Sequence, residues 1–248
     1  MSDTVWLGLL DALTALVPIA AYLLAVRHVR RSPSGWPAAR TISFLLGIAV
    51  AAAATSVWVD DLASRSLSWH MAQQMALLLV VAPAVVAARP LELLHRVAGE
   101  RRWPVPGPAV AWLAFVGVQW VAHVPPVLDA LVRYPVAEGF MHVALLAAGL
   151  VFFGQVTARR GWVANPLALG LFVVSAMPTT DAIALWLILD PHVVYPAFRA
   201  PGALADQRTA GVIMFGAGNI LLVAAAAIAG RYLWEGRPAP SAVPTVQR

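Results

Sequence analysis

The 248-residue chain contains no cysteine and no lysine; all 17 of its Lys-plus-Arg positions are arginine. Without cysteine there are no disulfides, no thiolate metal sites and no cysteine nucleophile. Without lysine there is no retinal or pyridoxal Schiff base and no phosphate-loop lysine. Charge is scarce as well, at 12% of residues, where a soluble domain carries about a quarter. No Gly-rich phosphate loop, Gly-x-Ser-x-Gly elbow or His-Glu-x-x-His pair is present. What the chain does hold is apolar surface: 60% hydrophobic residues and a mean hydropathy of +0.76.

Such a composition predicts an all-α polytopic membrane protein. Apolar stretches run over Val5–Val26, Thr41–Val59, Trp69–Ala88, Pro108–Ala122, Gly139–Thr157, Asn165–Leu189 and Ala210–Trp234. Each is near bilayer length, which predicts seven transmembrane helices. The fourth is short and is expected to extend through 105–108. Asp3 and Asp11 and the lack of a basic start mark the first stretch as a retained helix, not a cleaved signal. Pro18, Pro83, Pro166 and Pro178 lie in or near spans, where neighbouring helices make up for lost backbone bonds.

The arginines divide by connection. Arg65, Arg133, Arg199 and Arg208 fall on one side and the other thirteen on the opposite side. The positive-inside rule then predicts an N-terminus outside and a C-terminus in the cytoplasm. Arginine's topological role also accounts for a pI near 10.7 without any nucleic-acid partner. Most of the ten tryptophans sit near proposed span ends, as interfacial anchors do. Residues 1–234 are expected to form one transmembrane domain, and Pro-rich 235–248 a disordered cytoplasmic tail.

With that orientation four of the six histidines share the outer level: His70, His123, His142 and His192. His28 and His95 fall in Arg-rich cytoplasmic connections and read as solvated. His70 and Gln74, Met71 and Met75, and Glu138 and His142 are each four apart, so each pair shares a helix face. Asp206, Ala210 and Met214 follow one stripe of the last helix, where Gly211 permits close contact. Imidazole and thioether together suit copper, the soft sulfur favouring Cu(I). Held without thiolate, such a metal would be exchangeable, which fits transfer better than storage. The bland reading stands beside this one: interfacial histidines also bond headgroups and helix ends, and methionine packs well in apolar interiors.

Acids within spans are costly and generally face protein or water. Asp11 lies two turns into the first helix, and Asp181 follows the polar run Met177-Pro178-Thr179-Thr180. A proton path, a partner to His192 or His123, and a plain interhelical hydrogen bond all fit Asp181. Asp60, Asp61, Asp129 and Asp190 read as solvated or capping.

From Arg40 to Tyr232 the chain resembles the CtaG family, seven-span cytochrome c oxidase assembly factors associated with caa-type oxidases. The resemblance rests on Ser68-Trp69-His70-Met71-Ala72-Gln73-Gln74-Met75, Trp120-Val121-Ala122-His123-Val124-Pro125 and Glu138-Gly139-Phe140-Met141-His142. Val194-Tyr195-Pro196-Ala197-Phe198 and Asp206-Gln207-Arg208-Thr209-Ala210-Gly211 complete it. Family members usually have histidine where Gln74 stands and often one near Glu138, so a reduced set of His70, His123 and His142 remains here. The resemblance implies a non-enzymatic role in maturing a haem–copper oxidase at the bacterial cell membrane. Its implied partners are oxidase subunits and a copper chaperone.

The expected metal ligands are His70, His123, His142, Met71, Met75 and Met214, with Gln74, Glu138, Asp181, His192 and Asp206 around them and copper as cofactor. A copper transporter, with Asp181, Met177 and Asp11 along a path, is the alternative. A haem protein and a metal-free scaffold are further readings.

Overall fold

A computed structural model describes residues 3–29, 35–99, 106–158 and 161–235; side chains of 3–14 and of most positions beyond Asn219 lie outside that description. The proposed tail beyond 235 and the carboxyl of Asp11 also lie outside the described residues. Among those residues the chain is helical throughout, with no strand. The helices are α1 (Asp3–Val29), α2 (Ala38–Ala54), α3 (Val57–Arg65), α4 (Leu67–Met75), α5 (Ala82–Ala87) and α6 (Pro90–Ala98). They continue as α7 (Pro108–Ala122), α8 (Pro125–Arg133), α9 (Pro135–Ala158), α10 (Pro166–Leu189) and α11 (Ala203–Glu235).

Seven single-helix spans are not what these residues form. Three helical stretches are long and apolar enough to cross a bilayer: Leu67–Ala98, Pro135–Ala158 and Leu167–Leu189. Two further crossings would each be a bent pair, α2 with α3 at 53° and α7 with α8 at 75°. Among the described residues the number is therefore three, or up to five, and the seven-span expectation, with the orientation that rested on it, is corrected. The reason is local. At the end of α2, Ser56 caps a new helix by accepting from the Val59 amide, so the apolar run to Val59 turns instead of continuing. At the end of α7, Pro125 and Pro126 cannot extend the preceding ladder and open α8 instead. The 17 residues of α2 reach only about 25 Å at 1.5 Å per residue, short of a hydrocarbon core of about 30 Å. The described apolar part of α1, Ala15–Val29, is likewise too short. The molecule remains an integral, multi-pass protein of the bacterial membrane.

Between α4 and α5 the helix widens into π-turns over Ala76–Val81. Pro83 stands just beyond and supplies no amide to an α-helical ladder, a local cause for the change of pattern. The main core joins Met71, Met75 and Leu78 with Phe115, Phe152, Phe172, Ile183, Tyr195 and Met214. α11 lies along α10 and against α4, while α9 packs on both α7 and α5. Two glycines set these distances. A Cβ at Gly211 would stand 2.7 Å from the Ala184 carbonyl, and one at Gly149 2.7 Å from the Ala82 Cβ.

The end opposite His70, His123 and His142 is tied by charge. Glu92 pairs with Arg40 at 3.1 Å, Arg89 at 3.3 Å and Arg96 at 2.7 Å. Trp36 receives the guanidiniums of Arg40 and Arg96 on its ring, at 4.6 and 5.3 Å from the centroid. Its indole N–H donates to Tyr22 Oη at 3.1 Å. Trp36 is buried and structural, whereas Trp58, Trp69 and Trp120 are exposed.

Candidate metal centre

The site is assembled where α4 begins, where α7 ends and where α9 has made its first two turns. The start of α4 is fixed from across the fold. Asp206 of α11 accepts from the Leu67 amide at 2.6 Å, from Ser66 Oγ at 2.9 Å and from Ser68 Oγ. Four amides at a helix start lack intrahelical partners and favour an anion, so this carboxylate is well placed as a cap. Both its oxygens are thereby engaged.

From that anchored start α4 turns His70, Met71, Gln73, Gln74 and Met75 inward, all buried. His70 Nε2 lies 2.8 Å from the Gln74 amide nitrogen. Its Nδ1 faces Glu138 Oε1 of α9 at 3.6 Å, beyond hydrogen-bond length. Neither of those two atoms has a hydrogen-bond partner, nor do His142 Nε2, Gln73 Oε1, Gln74 Oε1 and Gln119 Oε1. Buried polar atoms are normally satisfied, so six orphans contributed by α4, α7 and α9 mark an unusual interior. His123 and His142 are both near enough to His70 for electrostatic coupling.

His123 closes α7. Its Nδ1 lies 2.7 Å from the Gln119 carbonyl, and its Nε2 lies 3.2 Å from Met71 Sδ. The Tyr195 hydroxyl donates to the His123 carbonyl at 3.1 Å. Burial, with Asp129 adding to it, pushes the Tyr195 phenol above its ordinary range, so the hydroxyl stays a donor. Phe198 stands over His70 with ring centroids 6.0 Å apart.

The other expected residues are placed differently. His192 has 88% of its side chain exposed, with Nδ1 3.6 Å from Asp190, so it sits at the surface beyond α10. Met75 and Met214 are buried members of the main core. Asp181 has one unpartnered oxygen and faces Gly218, whose Cβ would come within 3.3 Å of it. His28 is exposed and His95 half-buried, with its Nε2 unpartnered.

Several contributors were not singled out from sequence. Gln73 donates to the Ala54 carbonyl at 2.8 Å and to Asp60, tying α4 to the α2–α3 bend. Gln207 accepts from Val194 N at 2.8 Å and donates to the Leu187 and His192 carbonyls, holding the chain after α10. Gln119 and Tyr195 position His123. The usable signal was glutamine or tyrosine in apolar context, since a buried amide there has to be paired.

In kind, the donors fit copper: imidazole, thioether and carboxylate without thiolate. In number they are sparse. Among the described residues no group of three His, Asp or Glu is gathered closely enough to hold a metal ion.

A family model described as cytochrome c oxidase caa3 assembly factor (Caa3_CtaG) matches residues 20–235. An uncharacterised protein of Mycobacterium leprae is 29% identical over 174 residues, which is 62% of this chain and 26% of that protein. Uncharacterised proteins of Mycobacterium bovis and Mycobacterium tuberculosis are 26% identical over 168 residues, 57% of this chain and 25% of theirs. The chain thus spans about a quarter of the length of these curated relatives. No solved structure matches it.

Proposed function

The chain belongs to the family of cytochrome c oxidase caa3 assembly factors, and from that membership we propose that it helps to mature a haem–copper oxidase by holding copper at the histidine end of its helices. The role is chaperone-like and non-catalytic. The observation that carries the copper part is the pair of buried α9 atoms without a hydrogen-bond partner, Glu138 Oε1, which lies 3.6 Å from His70, and His142 Nε2. A buried imidazole or carboxylate without a partner costs stability, on the order of 1–3 kcal/mol each. A bound cation would remove that cost.

The side chains have distinct duties in this reading. His123 and Met71 supply lone pairs, His142 and Glu138 approach from α9, and His70, whose Nε2 accepts from Gln74, turns its Nδ1–H toward Glu138. Gln74 orients His70, Asp206 fixes where α4 starts, and the core methionines Met75 and Met214 exclude water. Copper supplies the redox centre of the oxidase, not a reaction in this protein. The partners are oxidase subunits within the same membrane and a copper donor.

The test pairs two measurements: oxidase activity in a deletion strain at limiting copper, and metal content of purified protein with and without His70→Ala. Loss of oxidase activity, restored by wild type and not by His70→Ala, is the expected result. Normal oxidase in the deletion strain defeats the proposal. Altered total cell copper with intact oxidase would favour transport instead.

A further inference from the structure

The contact between α4 and the end of α7 has the wrong chemistry for a hydrogen bond. A carbonyl oxygen only accepts, so His123 Nδ1, 2.7 Å from the Gln119 carbonyl, must carry the ring proton. In the neutral ring Nε2 then bears a lone pair. That lone pair lies 3.2 Å from Met71 Sδ, a thioether that has only lone pairs to offer. Two acceptors face each other with nothing to share. Both residues are buried, at 3% and 0% exposure, so water does not separate them. A proton on Nε2 would supply a donor, yet it would bury an imidazolium that has no ion-pair partner among the described residues, a costly state.

Resting on the copper reading above, we infer that His123 Nε2 and Met71 Sδ are the two donors of a site for monovalent copper. The argument is one of number and softness. Zinc takes four ligands in a tetrahedron, and Cu(II) prefers tetragonal nitrogen and oxygen sets. Among the described residues no three of His, Asp and Glu are gathered, so with Met71 a four-ligand set of either kind is not completed. A soft thioether selects Cu(I), and that singly charged ion, unlike the equally d10 Zn(II), accepts two ligands.

Each donor is also held in advance. His123 is fixed at Nδ1 by Gln119 and at its carbonyl by Tyr195. Met71 lies on the helix whose start Asp206 secures. Its side chain is unbranched and adaptable, so the sulfur can adjust as a cation enters. With no thiolate in the chain, nothing prevents the ion from being passed on by ligand exchange.

The experiment uses full-length protein in detergent, titrated anaerobically with Cu(I) against a chromophoric Cu(I) chelator and loaded for X-ray absorption. Wild type should show one tightly held copper with a sulfur neighbour. Met71→Leu should remove the sulfur signal and weaken binding at least tenfold. Met177→Leu, a buried methionine of α10, should change neither. Met71→Cys, which restores a soft donor, should recover or exceed wild-type affinity, so the proposal stays exposed even if the leucine variant folds poorly. A copper that shows only nitrogen and oxygen neighbours, or a sulfur signal that survives Met71→Leu, overturns this assignment while leaving copper binding and the oxidase role intact. Absence of any Cu(I) uptake overturns both the assignment and the copper part of the proposed function. Normal oxidase in a deletion strain with an intact sulfur signal overturns the oxidase role alone.

Discussion

Replacing Gly211 by alanine probes how tightly α10 and α11 are packed along their seam. An added Cβ would meet the Ala184 carbonyl and Ile188 Cγ1, each at 2.7 Å, and the Ile188 amide at 3.2 Å. That is about 0.7 Å inside the separation at which ordinary contact begins, and two of the three obstacles are backbone. Backbone cannot swing aside as a flexible side chain does, so α11 must move away from α10. Overpacking of this kind costs about 1–3 kcal/mol. Alanine also gains about 1 kcal/mol over glycine within a helix, which masks part of the cost. Gly216→Ala on the same helix removes this ambiguity, because nothing lies within 4 Å of its added Cβ. Both variants share the propensity gain, and their difference isolates the clash. For a chain of this length, 1–3 kcal/mol corresponds to roughly 2–12 °C in apparent melting temperature. Thermal unfolding of the two purified variants, at one scan rate in one detergent, should place Gly211→Ala lower by that margin. Equal melting temperatures would show that the helices are not in contact there.

Further outcomes follow from other contacts. Asp206→Ala removes the acceptor of four hydrogen bonds at the start of α4 and should destabilise by about 1–2 kcal/mol, with Asp206→Asn costing less; chemical denaturation of the two variants distinguishes them. Tyr195→Phe leaves the His123 carbonyl without its donor and should cost about 1 kcal/mol, and if it instead stabilises the fold the bond is not formed. The Tyr195 phenol also predicts a pH dependence. Its folded pKa is raised above the unfolded value near 10, so its contribution is complete below that pH and is lost as pH rises beyond it. Ultraviolet titrations of wild type and Tyr195→Phe should differ by a tyrosine that ionises only on alkaline unfolding. Trp36→Leu forfeits two cation–π contacts and the bond to Tyr22, and should loosen α1 from α2, read as faster proteolysis at that end.

The all-helical character was legible from composition, and Pro108–Ala122 and the Leu189 boundary were read at the residues where the helices stand. The break after Thr55 was not, because averaging hydropathy across a window cannot register a single serine that caps a new helix. The helix end at Ala122 was read correctly, but the 75° turn that follows depends on how α8 packs. Within the site, i to i+4 spacing placed His70 beside Gln74, and the structure keeps them 2.8 Å apart. Spacing along one helix says nothing about which partner arrives from another. The Met71–His123 approach, 52 residues apart, and the seat of Asp206 on the start of α4, 139 residues away, are products of tertiary packing. His192 shows the converse limit. A shared height in the fold does not decide whether a side chain points inward, and this one is exposed.

The π-turns at Ala76–Val81 separate two halves of one long helix, and that separation has an angular meaning. Each α-helical residue advances the side-chain direction by about 100°. Below the joint, Ser43 donates to the Ala84 carbonyl at 2.8 Å, and Gly47 and Gly149 leave room only for the side chains already present, so that half cannot rotate. Above it, Asp206 clamps the other half by its first turn. The wider turns absorb the phase mismatch between two fixed ends, like a coupling between misaligned shafts. Removing one residue from 76–81 would swing His70 and Met71 through about a quarter turn while every contact below stayed as it was.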